Sequence, residues 1–495
     1  MISVEDYRRH DGLGLAELVR NGEVSAAELL EVAIGQAERL NPHLNAIIIP
    51  MYELARARAA GPLEGPFAGV PFLVKDLFQE YEGVMTAYGC KALKRAAVPA
   101  AGHAEITRRW LRAGTVIFGR TNSPEFGAKG ITEPEAWGAT RNPWNLGHTP
   151  GGSSGGSAAM VAAGVVPMAG ANDGGGSIRI PAACCGLFGL KPGRGRTPWG
   201  PRYGEMMHGA AMNHVISRSV RDSAAMLDAS HGHEPGAFYR LEPPVRPYLE
   251  EVGREPGKLR IAYTTQSPIG TPVHPEAVAA VENSARLLES LGHYVEPAEP
   301  PIDGLQVAED WLMMWFAHTA ATVREVRQQT GCGLDGFEAD TLAMAAFGEA
   351  SRASEYIVAF QRWNDYMRQL DGFFEHYDLL MTPTLAHPPA RIGEVATPAW
   401  QHVLLKIVMS LRLSRVALAT GVVERMAKEN LKWVPFTQLE NVTGVPAMSV
   451  PLHWTADGLP MGVHFAAPHG EEGRLLRLAA QLEQARPWAQ RRPEL

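Results

Sequence analysis

Two glycine-rich runs in the middle of the sequence place the strongest constraint on how this chain can fold. Residues 151–157 consist only of glycine and serine, and a run of three glycines follows at 174–176. Glycine lacks a Cβ, so each run lets the backbone turn sharply or approach a neighbour closely. Between them, "SAAMVAAG" has helical spacing with small side chains, and "VVPMAGAND" is typical of a strand. The sequence therefore predicts a helix and a strand packed tightly between two glycine turns.

Three other interpretations of residues 151–157 fail on their context. A flexible linker should join two independent cores, whereas this run leads directly into the small-residue helix. The G-x-S-x-G turn of an α/β-hydrolase needs a hydrophobic strand before it, and the preceding "RNPWNLGHTP" is polar. A phosphate-binding loop needs G-x-x-x-x-G-K-[ST], which does not occur in the sequence. The run is therefore interpreted together with the glycines that follow it.

Composition is typical of a globular protein that binds small molecules. Of the 495 residues, 45% are hydrophobic and 20% are charged, which suits a packed core and leaves little room for long disorder. The formal net charge of -7 gives no basic surface for nucleic acid or for an anionic membrane. We therefore expect a small neutral or cationic substrate and no nucleic-acid or membrane partner.

Three features predict a cytoplasmic protein. The N-terminal "MISVEDYRRHDG" carries both charge signs and lacks the apolar region of a secretory signal. The apolar stretch over 402–421 is interrupted by three basic residues, which is typical of an amphipathic helix and not of a membrane span. The four cysteines include the adjacent pair Cys184 and Cys185, which has neither zinc nor redox spacing. We interpret all four as buried reduced thiols.

The pattern along the chain predicts a single domain over residues 1–495, without an internal repeat or a clean linker. Residues 1–65 form a helical segment in this interpretation. Ser25 and Glu28 have capping-box spacing, and the apolar stripe after them stops at Asn41–Pro42.

Further along, strands and helices alternate, which predicts an α/β fold with a large mixed sheet. The apolar run "VPFLV" delivers Lys75 to the end of a strand, an unusual place because most lysines lie on the surface. Residues 303–376 are mostly helical. Then "VPAMSVPLHW" and "GLPMGVHFAA" predict a pair of strands before a closing helix.

The glycine runs and Lys75 together carry a family resemblance. The segment "GGSSGGSAAMVAAGVVPMAGANDGGGSIRIPAACCGLFGLKP" resembles the signature segment of the amidase signature family, and the spacing of Lys75, Ser153 and Ser177 agrees with that family's Ser-cis-Ser-Lys triad. The resemblance extends over nearly the whole chain, through "GVPFLVKD", "GRTNSPEF", "GATRNPWN", "NVTGVPAMSVP" and "DGLPMGV". It implies the amidase signature fold, a large mixed, twisted β-sheet covered by helices on both faces. Residues 66–230 would then form the catalytic core, and 303–440 a variable region that shapes the substrate pocket.

The resemblance implies a role for each member of the triad. Ser177 would be the nucleophile that forms an acyl-enzyme, Ser153 the bridging proton relay after a cis peptide bond, and Lys75 the ultimate base. A lysine acts as a base only when neutral, so burial must lower its pKa from about 10.4 toward neutrality. Ser154 stays open as an alternative relay, although the spacing favours Ser153. No cofactor and no metal are implied.

The same resemblance makes the second glycine run an oxyanion hole. Successive backbone N–H groups without side chains can converge on one oxygen, and these would come from Gly174, Gly175 and Gly176, with the N–H of Ser177. A tight turn after a strand is an interpretation that is compatible with this one.

Two charged residues and two departures from the family pattern surround the triad. Asp173 and Arg179 flank the nucleophile as supporting residues or, on an equal footing, as a structural ion pair. Many family members carry threonine where this chain has Gly174, and glutamine where it has His464. Both departures leave the substrate preference open.

These features predict an amidohydrolase that cleaves linear or cyclic amides. Within the family, "TEPEAWGATRNPWNLG" and "LAAQLEQARPWAQRRPEL" are most similar to members that act on 6-aminohexanoate (nylon) oligomers. The alternatives are a general aliphatic or aryl amidase, an amidotransferase A-type subunit that would need partner subunits, and a catalytically silent amide-binding member. The expected partner is a small-molecule amide, and since family members are often dimers, a homodimer is the assembly to test.

Overall fold

The computed structural model describes residues 2–397, 415 and 421–495. In these ranges the α-helices are α1 (Val4–Arg9), α2 (Gly12–Arg20), α3 (Ala26–Leu44), α4 (Tyr52–Ala59), α5 (Lys91–Ala96), α6 (Glu105–Arg112), α7 (Gly155–Ala162), α8 (Arg179–Cys185), α9 (Val220–Ser230), α10 (Tyr248–Val252), α11 (Pro275–Ser290), α12 (Gly304–Thr330), α13 (Ala339–Ala350), α14 (Ala353–Phe374), α15 (Val422–Leu431), α16 (Leu439–Thr443) and α17 (Glu472–Ala485). The strands are β1 (Ile47–Pro50), β2 (Pro71–Lys75), β3 (Val116–Thr121), β4 (Met168–Asp173), β5 (Phe188–Lys191), β6 (Met212–Ser217), β7 (Arg260–Tyr263), β8 (Tyr294–Pro297), β9 (Leu379–Pro383), β10 (Ala447–Trp454) and β11 (Pro460–Ala466). The amphipathic helix predicted over 402–421 lies outside the described residues, apart from positions 415 and 421. No helix within the described ranges is long and apolar enough to cross a membrane.

An eight-stranded mixed sheet runs through the molecule, in the order β4-β6-β5-β10-β11-β9-β7-β8. Neighbouring strands are antiparallel from β4 to β9, and β7 pairs in parallel with both β9 and β8. This sheet confirms the predicted α/β class with a large mixed sheet.

Helices cover both faces of this sheet. Gly462 and Val463 are neighbours on β11, so their side-chain positions point to opposite faces. A Cβ on Gly462 would lie 2.8 Å from the Ala183 Cβ of α8, whereas Val463 packs in an apolar cluster with Val281 of α11 and Leu478 of α17. The sheet is therefore buried between two helical layers, as predicted.

The strand that carries Lys75 belongs to a second, three-stranded sheet of order β1-β3-β2, which the sequence pattern did not separate from the large one. β2 and β3 pair in parallel, and β1 pairs antiparallel to β3. β2 also packs against β4, the edge strand of the large sheet. Lys75 at the end of β2 therefore lies beside the end of β4.

Helix α3 begins as predicted and ends later than predicted. The Ser25 hydroxyl accepts the N–H of Glu28 at 3.1 Å, and the Glu28 carboxylate accepts the N–H of Ser25 at 2.9 Å, which is the predicted capping box. The predicted end at Asn41–Pro42 is wrong, because the helix continues through Pro42 to Leu44. A proline in the last turn removes only one backbone donor. The Asn41 carboxamide ends the helix instead, since its oxygen accepts the N–H of Ala46 at 2.8 Å as the chain turns toward β1.

The glycine and serine run is packed into the core. Residues 151–157 are all buried, and α7 begins inside the run at Gly155. A Cβ at Gly152 would lie 2.6 Å from the carbonyl oxygen of Ile131, and one at Gly156 would lie 2.5 Å from the backbone nitrogen of Asn122. Only glycine fits where a Cβ would lie this close to the backbone of another segment. The run therefore allows close packing of the core and is not a linker.

Candidate active site

Lys75 is a fully buried amine with two oxygen partners. Its side chain has no exposed surface, and Nζ lies 2.7 Å from Ser153 Oγ and donates to Asn172 Oδ1 at 2.7 Å. Burial lowers the pKa of Lys75 well below its ordinary value, while the Asp173 carboxylate pulls that pKa partly back up. The site therefore favours the neutral amine, the form that can take a proton from a hydroxyl.

Asn172 is a residue of the site that the sequence interpretation missed. It lies on β4 one position before Asp173, and its Nδ2 donates to the backbone oxygen of Leu77 at 2.8 Å. A single asparagine near the end of a strand matches no motif. Only its contact with Lys75 shows that Asn172 belongs to the site.

Ser153 and Ser154 have different surroundings. The Gly152–Ser153 peptide bond is cis, as the family resemblance implies, and Gly151 has a φ of +76° that favours glycine. The Ser153 hydroxyl faces Lys75, whereas the Ser154 hydroxyl donates to the backbone oxygen of Asn172 at 3.3 Å. Of the two serines that the sequence left as alternative proton relays, only Ser153 has its hydroxyl in contact with Lys75.

Ser177 follows the glycine run, two residues before α8, and is the most exposed of the three predicted triad residues. Its relative exposure is 9%, compared with 2% for Ser153 and none for Lys75. Solvent access therefore decreases from Ser177 to Ser153 to Lys75. Lys75 and Ser153 are in direct contact, whereas the place of Ser177 as the third member stays a prediction.

The carbonyl groups of the glycine run are held by residues distant in the sequence. Trp311 Nε1 donates to the Gly174 oxygen at 2.9 Å, and Thr437 Oγ1 donates to the Gly175 oxygen at 2.7 Å. In a trans peptide the C=O and the following N–H point in opposite directions. The N–H of Gly175 is therefore directed away from Trp311, and the N–H of Gly176 is directed away from Thr437.

The three predicted oxyanion glycines do not have equivalent N–H groups. Gly176 donates its N–H to Asp173 Oδ1 at 2.6 Å, which engages that N–H within the protein. The Gly176 carbonyl accepts the Ile180 N–H at 2.6 Å, so the Ser177 N–H, in the same peptide unit, points the opposite way. Oxyanion roles for Gly174 and Gly175 stay predictions.

The predicted pair Asp173 and Arg179 is the centre of a buried ionic network. Arg179 donates from Nε and Nη2 to the two oxygens of Asp173 at 2.9 and 3.0 Å. It also donates to Glu440 Oε2 at 3.0 Å, to Asn441 Oδ1 at 2.6 Å and to the backbone oxygen of Thr437 at 2.8 Å. Burial opposes the charge of Asp173, but Arg179 outweighs it and holds the pKa of this carboxyl well below its usual range.

His464, one of the two departures from the family pattern, joins the same network as a neutral ring. Arg179 Nη1 donates to His464 Nε2 at 3.0 Å, so the ring proton is on Nδ1, which lies 3.1 Å from Thr382 Oγ1. Burial, and then the adjacent guanidinium, lower the pKa of His464 well below its ordinary value. A glutamine carboxamide offers the same acceptor and donor, which explains how the two residue types can occupy one position.

The region 303–440 contributes an apolar wall beside the glycine run. Trp311 and Trp315 of α12 are stacked with ring centroids 5.1 Å apart. Trp315 Cζ3 and Met207 Sδ both lie 3.4 Å from the position that a Gly174 Cβ would take, and Trp311 Cζ2 lies 2.4 Å from that of Gly175. Any side chain at Gly175 would therefore collide with an indole ring.

A separate cavity of about 1080 Å³ lies between α12 and α13 and includes none of the predicted triad residues. Its lining includes the apolar side chains of Val323, Phe337 and Leu342. Among the described residues, no group of three His, Cys, Asp or Glu side chains is placed to hold a metal ion. The expectations of no metal and no cofactor stay predictions.

Known proteins resemble the chain over nearly its whole length. The family model described as Amidase matches residues 28–476. The chain is 40% identical over 492 residues to the 6-aminohexanoate-cyclic-dimer hydrolase of Pseudomonas sp. (strain NK87), covering 98% of this chain and 96% of that protein. The solved structure of 6-aminohexanoate cyclic dimer hydrolase matches with a TM-score of 0.90 at 37% identity, over 100% of this chain and 99% of that one. A bacterial aryl acylamidase of the amidase signature enzymes matches with a TM-score of 0.83 at 28% identity, over 97% of each chain.

These matches confirm the family, the fold class and the enzyme class that the sequence predicts. The identity reaches 40% with full-length coverage, and the structural match includes both sheets because it covers the whole chain. The chain therefore belongs to the amidase signature family and is an amide hydrolase.

Proposed function

We propose that the chain hydrolyses amides through an acyl-enzyme on Ser177, with Ser153 as the proton relay and Lys75 as the base. The observation that carries this proposal is the 2.7 Å contact between Lys75 Nζ and Ser153 Oγ, made by a fully buried amine. Burying a charged amine costs free energy, so a lysine in this place is favoured in its neutral form, and a buried group with a shifted pKa beside a hydroxyl is typical of an active site.

The proposed cycle moves one proton along the relay in each half of the reaction. Neutral Lys75 takes the proton of Ser153, Ser153 takes that of Ser177, and the Ser177 oxygen attacks the carbonyl carbon. The carbon–nitrogen bond then breaks, and the amine leaves with the proton returned from Lys75 through Ser153. In the second half, water gives a proton through Ser153 to Lys75 and attacks the acyl carbon, the bond to the Ser177 oxygen breaks, the carboxylic acid leaves, and the relay returns the proton to Ser177.

The oxyanion of the tetrahedral intermediate needs N–H donors that the protein does not already engage. Gly176 donates to Asp173, so we propose the N–H groups of Gly174, Gly175 and Ser177 as the main donors. One such donor is worth about 2.7–4 kcal/mol of transition-state stabilisation. Asp173 then acts as a support that fixes the turn, together with Arg179.

We propose a 6-aminohexanoate oligomer, linear or cyclic, as the substrate. Two observations support this class: the 40% identity to a 6-aminohexanoate-cyclic-dimer hydrolase, and the apolar wall of Trp311, Trp315 and Met207 beside Gly174. Indole rings and a thioether suit a polymethylene chain. An aryl amide is the second candidate, supported by the structural match to an aryl acylamidase at 28% identity.

A substrate panel combined with active-site labelling tests the proposed function. Wild type, Ser177→Ala and Lys75→Ala are incubated with cyclic and linear 6-aminohexanoate dimers and with an aryl amide, and amine release is measured. We expect the cyclic or linear dimer to be the best substrate, a loss of at least 10³-fold in both variants, and covalent attachment of a fluorophosphonate to Ser177. Ser290→Ala, in the exposed last turn of α11, is the control. Labelling at another serine, or turnover by Ser177→Ala, would overturn the proposal.

We also propose a cytoplasmic location, a single folding unit and a homodimer. The cytoplasmic proposal is supported by the absence of disulfides at the four cysteines, all of which are free. One calorimetric transition and a light-scattering mass of twice 53.7 kDa are the expected results. Two independent transitions, or a monomer mass at micromolar concentration, would contradict the last two proposals.

A further inference from the structure

Asn172 is oriented toward Lys75 by a partner that fixes which way its amide faces. The backbone oxygen of Leu77 can only accept, so the Asn172 nitrogen must be the atom that lies 2.8 Å from it. The amide oxygen therefore faces Lys75 Nζ, at 2.7 Å. Asn172 has a relative exposure of 5%, so water does not readily replace this contact.

An amide oxygen constrains the amine because it can accept but not donate. A neutral amine has two N–H groups and one lone pair in tetrahedral directions, and the direction toward Asn172 must hold an N–H. One N–H and the lone pair are left for the other two directions. The contact with Ser153 at 2.7 Å can then be one in which the lone pair accepts the serine O–H. Without Asn172, rotation about the Cε–Nζ bond would leave the lone pair undirected.

The Asn172 amide is also neutral, so it does not raise the pKa of Lys75 as a carboxylate in its place would. Among the described residues, the charged groups near Lys75 are Asp173 on β4, already paired with Arg179, and Arg120 on β3. Arg120 donates to the Lys75 backbone oxygen at 3.1 Å and to Asp76 at 3.2 Å. Helix α7 contributes no titratable side chain, and α3 packs on β2 through apolar residues. A carboxylate at position 172 would be the nearest anion to the amine.

We propose that Asn172 is a positioning residue for the base: its amide oxygen holds one N–H of Lys75 so that the amine lone pair faces the Ser153 hydroxyl, while keeping the site uncharged. This inference rests on the proposed function, in which Lys75 is the base. It extends the predicted triad by a residue that acts through Lys75 and does not itself contact the substrate.

The pH dependence of kcat/KM in two substitutions tests the proposal. Asn172→Asp places an anion beside Nζ and should move the acid limb of the profile up by at least one pH unit, with recovery of rate at higher pH. Asn172→Leu, of similar volume but without an acceptor, should lower kcat at least 10-fold with KM unchanged and should leave the limb at or below its wild-type position. Asn145→Asp, in an exposed loop, changes the net charge equally and serves as the control.

A purely structural role for Asn172 would leave the acid limb of Asn172→Asp in its wild-type position, because loss of folded protein lowers the rate equally at every pH. Coincident limbs in Asn172→Asp and wild type, or a wild-type kcat in Asn172→Leu, would overturn the inference. If Asn172→Asp does not fold, the rate of fluorophosphonate labelling of folded Asn172→Leu decides: a rate at least 10-fold below that of wild type supports the inference, and a wild-type rate overturns it. Lys75→Ala is measured in parallel: retained activity there would refute the proposed function itself, whereas its loss, together with an Asn172→Asp limb that coincides with that of wild type, would refute only this inference.

Discussion

At the scale of the residue, the site depends on whether one amine is charged. Burial lowers the pKa of Lys75 well below its ordinary value, and only the neutral form can accept the Ser153 proton. We therefore expect kcat/KM to rise with pH along an acid limb as Lys75 loses its proton. A flat profile from about pH 5 to pH 9 would contradict a neutral lysine base.

The substitution Lys75→Arg distinguishes two possible roles of Lys75: a base that accepts a proton, and a positive charge that only occupies the site. A guanidinium cannot be deprotonated in a protein and has no lone pair for a serine proton. We expect this variant to lose about 10²–10⁴-fold in kcat, the range that general base catalysis supplies, at every pH tested. Partial activity at pH 7 in Lys75→Arg, with little in Lys75→Ala, would indicate that charge and not basicity is required.

At the scale of the element, α12 orients the glycine run through a single hydrogen bond. Trp311 Nε1 holds the Gly174 oxygen at 2.9 Å, which directs the Gly175 N–H to the opposite side. Trp311→Phe keeps most of the ring but removes this donor. We expect kcat to fall about 10-fold, less than the 10²–10³-fold of a lost oxyanion donor, with KM nearly unchanged, as measured by steady-state kinetics.

The control for this substitution is Trp363→Phe on α14. Trp363 is buried, and its Nε1 has no hydrogen-bond partner among the described residues. This variant therefore loses an indole N–H without releasing a carbonyl, and its kcat should stay within about twofold of wild type. Equal losses in both variants would mean that indole packing, and not the bond to Gly174, is what matters.

The sequence predicts the elements better than it predicts how they meet. Local periodicity predicts the small-residue helix, the strand that ends at Lys75 and the closing strand pair, and all are present, although the helix begins at Gly155, inside the glycine and serine run. The separate three-stranded sheet is not predictable in this way, because an apolar strand does not indicate which sheet it joins. The roles of Asn172 and Trp311 are equally unpredictable from local sequence patterns. They depend on contacts of β4 with β2 and of α12 with the glycine run, which residue spacing does not encode. The three predicted triad residues can be singled out only because a family motif records such long-range contacts.

At the scale of the whole molecule, Arg179 joins parts of the chain that are far apart in sequence. It starts α8, pairs with Asp173 at the end of β4, and reaches Glu440 on α16 and His464 on β11. Neither Arg179 nor Asp173 has any exposed side-chain surface. The network therefore ties the C-terminal strands to the turn that carries Ser177.

Removing Arg179 should destabilise the entire fold and not only the site. Arg179→Met would leave Asp173 and Glu440 buried without their cation, which costs about 3–5 kcal/mol for a broken buried pair. Urea unfolding followed by circular dichroism measures this free energy. Arg324→Met is the control, because Arg324 and Glu349 pair at 2.6 Å with 64% and 53% of their side chains exposed, and such a pair contributes at most about 1 kcal/mol.

The pH dependence of this difference identifies its electrostatic origin. The pKa of Asp173 is held well below its usual range in the folded protein, so its ionised form contributes stability above the unfolded pKa of about 3.9. This contribution is lost as the pH falls through the folded pKa. Arg179→Met removes the cation that offsets the burial of Asp173, so the pKa of this carboxyl in the folded variant rises above its ordinary value. Because the two unfolded chains titrate alike at Asp173, the difference in unfolding free energy between wild type and Arg179→Met should be largest at neutral pH and shrink as the pH falls through that raised pKa. A difference that stays the same down to pH 3 would assign the destabilisation to lost packing of the arginine side chain, since packing does not titrate.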